Sequence, residues 1–302
     1  MNKISVIVNT WNEEQNIKRC LDSVKWADEI VVVDMFSTDK TVAIAKKSAA
    51  KIFSHKYTSY VEPARNFAIK KTTGDWILIL DADEEISSEL AQKLKNLTEN
   101  KEGLTYFRLP RKNIIFGKWI KHSRWWPDYN IRFFKKGAVC WSEKIHSVPL
   151  TRGEGFDLES KEANAILHYH YQTVSQHLER LNRYSDIQAR ELVENGYKFN
   201  WSDLLRKPMS EFLSRFFAGD GYKDGTHGLI LSLLQSFSEL VKYLKVWEKE
   251  GFKFQELPLD NFAMEMKKLG KELSYWWTTI FINETGNLFK KIPLKIKRRL
   301  TK

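Results

Sequence analysis

Five apolar residues in a row, Trp76, Ile77, Leu78, Ile79 and Leu80, stop without transition at the acidic triplet Asp81-Ala82-Asp83. The run is too short to span a membrane, and the pair Gly74-Asp75 before it supplies a turn. It therefore reads as a strand covered on both faces, at the centre of a parallel sheet in an α/β chain. In an extended backbone, side chains two apart lie on one side, so Asp81 and Asp83 can converge on a hard cation at the strand's carboxyl end. Open α/β sheets bind their ligands at that end. The same stretch also reads as a helix start, with acids at the positive end of the dipole and Leu90, Leu94 and Leu97 on one face.

The residues before it repeat a strand, loop, helix pattern. Ile4 to Val8 is a short β-branched strand that leaves through Asn9-Thr10-Trp11-Asn12-Glu13-Glu14 into a helix with Ile17, Leu21 and Val24 inward. Ile30 to Val33 is a second buried strand ending in Asp34, after which Ser37-Thr38-Asp39-Lys40-Thr41 caps another helix. A weaker strand at Lys51 to Phe53 precedes a helix from Pro63 to Lys71. Such alternation predicts a sheet built from right-handed crossovers. Neither a Walker A sequence nor GxGxxG occurs at these turns, and acid ends two of the strands instead. Asp34 and Asp83 thus suggest a ligand lying across neighbouring strand tips. Base and ribose donors would meet the first, and a diphosphate with its bridging cation the second.

SVIVNTWNEEQNI, VVVDMFSTDKT and EPARNFAIKKTTGDWILILDADEE, in this order and spacing, resemble the family 2 glycosyltransferases of GT-A fold over roughly the first 150 residues. More narrowly, the chain resembles the bacterial lipopolysaccharide core β-glucosyltransferase branch, which adds a tail like GYKDGTHGLILSLLQSFSELVKYLKVWEKE. The resemblance implies a Rossmann-like, mainly parallel mixed sheet with a C-terminal helical extension. It also implies an inverting transfer of a sugar from a nucleotide diphosphate, a UDP-sugar above all, with Mg2+ or Mn2+. Carried onto this sequence, Thr10, Asn12, Glu13, Asp34 and Asp39 would hold the nucleoside and Arg65 would approach the diphosphate. Asp81, Ala82 and Asp83 would bind nucleotide and metal. The acceptor would be a saccharide or lipid-linked glycan in cell-envelope polysaccharide synthesis.

The middle section is rich in aromatics. Alternation from Asn130 to Phe134 and again around Val139 to Trp141, with Lys136-Gly137 between, predicts a hairpin. Trp119, Trp125 and Trp126 could stack on sugar faces or serve as core. Asp128 and Glu143 are the candidate bases for an acceptor hydroxyl. His146 is a candidate third metal ligand or leaving-group orienter, although Ser147 stands where many relatives carry Glu. Structural ion pairs explain all three equally well. His168 and His170 are expected to alternate on a strand, so that one at most faces the site, with His168 completing the cation's shell or packing as a core residue. A helix follows from Thr173 and ends at Asn195-Gly196.

These readings divide the chain into a catalytic domain over 1–200, with a nucleotide-sugar half to 100 and an acceptor half from 101, and a helical, basic extension over 201–302. Lys and Arg outnumber Asp and Glu by 49 to 38, a net charge of +11, which favours an anionic partner. The last segment, NLFKKIPLKIKRRLTK, has no acid and suits either an anionic membrane leaflet or a disordered soluble tail. Cys20 and Cys140 form neither a CxxC nor a zinc spacing. With no signal peptide or spanning stretch read, a cytoplasmic setting, peripheral on the inner face of the membrane, is expected. Two other classes share single features. A haloacid-dehalogenase-like phosphotransferase also uses a strand-end DxD, but wants Thr or Val where this chain has Glu85. A non-catalytic membrane or nucleic-acid binder would share the basic charge, yet the loop acids repel nucleic-acid phosphates, so no nucleic-acid partner is expected.

Overall fold

The computed structural model describes residues 2–58, 61–99, 103–141 and 149–300. The chain forms two compact units, one of Met1–Trp119 with Trp125–His170, the other of Ile120–Arg124 with Tyr171–Lys302. The helix beginning near Thr173, grouped above with the sheet, belongs to the second unit.

In the first unit the strands and helices run β1 (Ile4–Thr10), α1 (Ile17–Ser23), β2 (Glu29–Asp34), α2 (Thr41–Ala45), β3 (Lys51–Ser54), α3 (Glu62–Lys71), β4 (Trp76–Asp81), β5 (Glu84–Glu85) and α4 (Ser88–Thr98). Then follow β6 (Tyr106–Leu109), β7 (Arg111–Ile115), β8 (Lys118–Trp119), β9 (Asn130–Lys135), β10 (Val139–Cys140), β11 (Leu150–Thr151), β12 (Gly155–Asp157) and β13 (Ile166–Tyr171). Seven strands make one sheet in the order β12-β6-β9-β4-β1-β2-β3, and β5-β13-β7-β8 make a second. This is the mixed, Rossmann-like sheet expected for GT-A. β1, β2, β3 and β4 are mutually parallel, while β9 runs antiparallel to β4 and β6.

The continuous apolar runs follow from burial on both faces. Val6, Val8, Val32, Leu78 and Leu80 join one core cluster with α1 and α4 residues, and Ile7, Val31, Val33, Ile77 and Ile79 join another with Ala64 and Ala68 of α3. Full burial of each such side chain stabilises by about 1.5–3 kcal/mol. The short helices α1 and α2 have no side-chain cap, so this packing rather than propensity keeps them helical. Gly74 admits β4 to the sheet: a Cβ there would lie 2.6 Å from Ser5 Oγ and 2.9 Å from Lys3 O. Both cysteines are free, Cys20 buried and Cys140 exposed.

Two expectations are corrected. The acids after β4 do not start a helix, because α4 begins only at Ser88, where the Ser87 side chain accepts from Leu90 N. Nor do Asn130–Phe134 and Val139–Trp141 form a hairpin. β9 fills a gap between β4 and β6, where Phe133 and Phe134 find buried neighbours, and β10 pairs with β11.

The second unit is helical: α5 (Val174–Glu194), α6 (Asp203–Leu213), α7 (Thr226–Lys249), α8 (Leu259–Glu284) and α9 (Leu288–Leu300). A capping box between Thr173 and Gln176 starts α5, and Asn195 caps its end before the left-handed Gly196. The segment Ile120–Arg124 is tied to these helices by main-chain donation from Lys121 and His122 to Asp224 and from Ser123 to Gly219 O at 2.7 Å. No helix among the described residues is long and apolar enough to cross a membrane.

Candidate active site at the strand tips

β1 lies between β2 and β4, so the chain order switches at its carboxyl end. In register, Thr10 pairs with Asp34, and Asn9 pairs with Val33 on one side and Asp81 on the other. The three tips thus stand in a row at the topological switch point, where ligands enter open sheets. Asn9 Nδ2, Asn9 Oδ1 and Thr10 Oγ1 are buried there without a hydrogen-bond partner in the protein. Unmet donors and acceptors of this kind are costly unless a ligand engages them.

The loops leaving β1 and β2 are laced together by side chain to backbone bonds. Asn12 Oδ1 accepts from Thr38 N at 2.8 Å, while Ser37 Oγ accepts from Asn12 N at 2.8 Å. Asp39 accepts from Glu14 N and Thr41 N, and Glu13 N donates to Thr41 Oγ1. Burial alone would raise the Asp39 pKa, but these hydrogen bonds outweigh it and hold the carboxyl below its usual value. Asn12 and Asp39 therefore build the loop. Asp34, whose oxygens share the single Ser37 N–H at 3.1 and 3.3 Å, keeps acceptor capacity. Trp11 lies against Tyr57, ring centroids 4.7 Å apart.

At the β4 tip, Asp81 faces two guanidinium groups: Arg132 Nη2 donates to Oδ2 at 2.7 Å and Arg65 Nη2 to Oδ1 at 3.2 Å. Burial acts to raise its pKa, yet the charges of Arg132 and then Arg65 carry it far below the carboxylate range. Arg132 also donates to Glu84 Oε1 at 2.8 Å, and Arg111 Nη1 reaches the same oxygen at 3.3 Å. Glu84 is fully buried, and its other oxygen accepts from Asp81 N at 2.9 Å. Arg111 continues to Asp128, Nη2 to Oδ2 at 2.7 Å. Burial pushes the Asp128 pKa up, but the Arg111 charge and the Asn113 hydrogen bond hold it below normal. Asp128 Oδ1 remains the less engaged oxygen, 3.4 Å from Asn130 Nδ2. Arg132 Nε and Nη1 and Arg65 Nε are buried donors with no acceptor in the protein.

Asp83 stands apart from Asp81. β4 ends at Asp81 and a turn precedes β5, so the extended alternation that would align the two is lost. Asp83 Oδ2 lies instead 3.4 Å from His168 Nε2 on β13. Asn113 Nδ2 donates to Trp125 O at 2.7 Å and to Asp128 Oδ2 at 3.0 Å, so Asn113 Oδ1 is the atom turned to His168 Nδ1, 2.6 Å away. An amide oxygen only accepts, hence Nδ1 carries the proton and Nε2 turns towards the carboxylate. Two acceptors face each other there unless a proton or cation lies between. A histidine oriented by an outer hydrogen bond, opposite a carboxylate, fits a divalent ion, whose ligands at about 2.1 Å stand about 3.0–3.4 Å apart. No group of three or more His, Cys, Asp or Glu that could hold a metal occurs among the described residues, so the pair offers only two protein ligands.

The alternation expected for His168 and His170 is corrected: their rings stack at 4.6 Å on one face, as a strand's period of two requires of positions i and i+2. Trp125 meets His170 edge-on at 5.4 Å, close to this centre, whereas Trp119 packs on Trp126 at 5.2 Å and under Lys112. The Ala82 methyl is buried in the core. Glu143 and His146 lie outside the described residues. Sequence reasoning missed Arg132, Glu84, Arg111, Asn113 and Asn9. Arg132 carried one usable signal, a charge set among the apolar residues Ile131, Phe133 and Phe134, where a buried ion must have a partner.

Residues 5–151 match the family model described as Glycosyl transferase family 2. An uncharacterized glycosyltransferase from Rickettsia typhi is 31% identical over 282 residues, covering 89% of this chain and 96% of that protein. The lipopolysaccharide core biosynthesis glycosyltransferase LpsC of Rhizobium meliloti is 23% identical over 258 residues, 83% of this chain and 94% of LpsC. Among solved structures, S. aureus TarS 1-349 superposes over 85% of this chain and 94% of its own, at 17% identity and a TM-score of 0.44.

Proposed function

The chain belongs to glycosyltransferase family 2, and on that premise we propose that it transfers a hexose, with inversion, from a uridine diphosphate donor to a saccharide or lipid-linked glycan of the cell envelope. The observation that carries the donor reading is the row of strand tips. There Asp34, the unpartnered side chains of Thr10 and Asn9, and arginine-clamped Asp81 adjoin one another, with Asp83 two residues further along the chain. Asp34 would accept from ribose or base donors, and the Asn9 amide, with a donor and an acceptor both unmet, complements the edge of a pyrimidine. Arg65 and Arg132, each with N–H groups to spare, would take up charge on the diphosphate. The envelope acceptor is supported by the likeness to LpsC.

Asp83 and His168 would hold the Mg2+ or Mn2+, which when bound neutralises charge on the departing diphosphate. Asp81 would hold the arginines in place rather than bind the ion directly. On the acceptor side, Asp128 Oδ1 would take the hydroxyl proton as that oxygen attacks the anomeric carbon and the bond to the diphosphate breaks. Arg111 and Asn113 fix Asp128 through Oδ2 and leave Oδ1 for this task. In this reading the protein works at the inner face of the cytoplasmic membrane, docked rather than spanning.

Titration calorimetry of UDP with and without Mn2+ tests the donor site. Uptake is expected to tighten at least about tenfold with the ion; equal uptake in a chelator removes the cation from the reading. A second expectation concerns Asp128. Because its pKa is depressed, it stays ionised down through the ordinary carboxylate range, and the acid limb of kcat/KM should fall below about pH 4. Asp128→Asn should lower kcat by about 10²–10⁴ and abolish that limb. A full rate in this variant places the base elsewhere.

A further inference from the structure

α9 wears its apolar residues on the outside. Phe289, Ile292 and Ile296 are 85%, 57% and 57% exposed, and their spacing of three and four puts them on one helix face. The face formed by Lys291, Leu294 and Arg298 is the half-buried one, with the Arg298 guanidinium 5.9 Å from the Tyr275 ring of α8. An ordinary surface helix does the reverse and turns its apolar stripe to the core. Lys290 stands exposed on one flank of the outward stripe, Lys295 and Arg299 on the other, and no acid occurs after Glu284.

From this arrangement we infer that α9 is a lipid-docking helix that lies flat in an anionic phospholipid surface, burying Phe289, Ile292 and Ile296 among the acyl chains while its flanking cations meet headgroup phosphates. The inference deepens the reading of an envelope glycosyltransferase by naming the surface on which it works. A strong polar face beside a narrow apolar one is the pattern of interfacial helices. At 13 residues, α9 is too short to span a bilayer. Self-association through this face is disfavoured, because a symmetric pair would bring the flanking cations of two copies together. An anionic leaflet answers both features, since it covers the stripe and pairs the cations, and the net charge of +11 draws the protein to it.

The test is sedimentation of the full chain with vesicles of phosphatidylcholine alone or with about a third phosphatidylglycerol. Binding to the anionic vesicles is expected to exceed binding to the neutral ones at least about tenfold and to weaken with salt. Ile292→Ser combined with Ile296→Ser leaves net charge unchanged and should lower that binding about tenfold or more. Lys290→Gln, Lys295→Gln and Arg299→Gln together should lower it and flatten its salt dependence. Donor hydrolysis by both variants should match the parent, so the docking result is independent of whether the enzyme reading holds. No binding by the parent, equal binding to both vesicle types, or undiminished binding by the serine variant overturns the inference. So does a dimer that the serine changes dissolve in the absence of lipid.

Discussion

Asp83→Asn is expected to lower kcat by about 10³-fold or more, roughly 4 kcal/mol of transition-state stabilisation, with the melting temperature within a few degrees of the parent. The substitution keeps the shape of the side chain and the main-chain bond that Asp83 O accepts from Tyr169 N at 3.0 Å. It removes the charge that a cation beside His168 Nε2 needs, and puts an amide where that lone pair can accept a hydrogen bond instead. Stability and turnover should therefore separate. Electron paramagnetic resonance of added Mn2+ gives a readout independent of turnover, since the parent should show bound ion in the presence of UDP and the variant only free ion. Near-parental turnover together with parental Mn2+ uptake would falsify the assignment of Asp83.

Glu84→Ala should have the largest effect on folding. The fully buried carboxylate bonds Arg132 and Arg111 and receives Asp81 N, so its removal leaves Arg132 buried with one carboxylate fewer. Breaking one side of a buried pair costs about 3–5 kcal/mol, which in a chain of this size lowers the melting temperature on the order of 10 °C. Exchanging Glu84 and Arg132 together for methionines should cost less than the sum of the single changes, because no buried ion is then stranded. Chemical denaturation of the two single variants and the double measures this coupling; strict additivity would mean that the pair does not interact. The same network sets an acid limit. Asp81 has a folded pKa below its unfolded one, so its contribution to stability is complete above about pH 4 and is lost as pH falls towards the folded value.

Family membership removes the phosphotransferase and the non-catalytic binder as accounts of the first unit. Several features are visible in the sequence: apolar runs with acid at their ends, short loops, and caps such as Thr173. β1, β2 and β4, α3, and the helix after Thr173 were all legible for this reason, since local period and capping depend on neighbours within a few residues. The fate of β9 was not. Asn130–Lys135 has the alternation of a hairpin arm, but pairing is chosen by what burial is on offer, and the gap between β4 and β6 buries Phe133 and Phe134 completely. That placement carries Arg132 to the tip of β4, an outcome no local pattern encodes.

The sequence by itself determined the class of the sheet, the order of its first four strands' helices and the acids that end them, because these follow from periodicity and from the ends of apolar runs. Only the tertiary structure decided what each acid does. A carboxylate's role depends on the charges within a few ångströms, and those come from residues far apart in the chain: Arg65 and Arg132 hold Asp81, Arg111 holds Glu84 and Asp128, and His168 lies against Asp83. Electrostatic partners are chosen by distance in space.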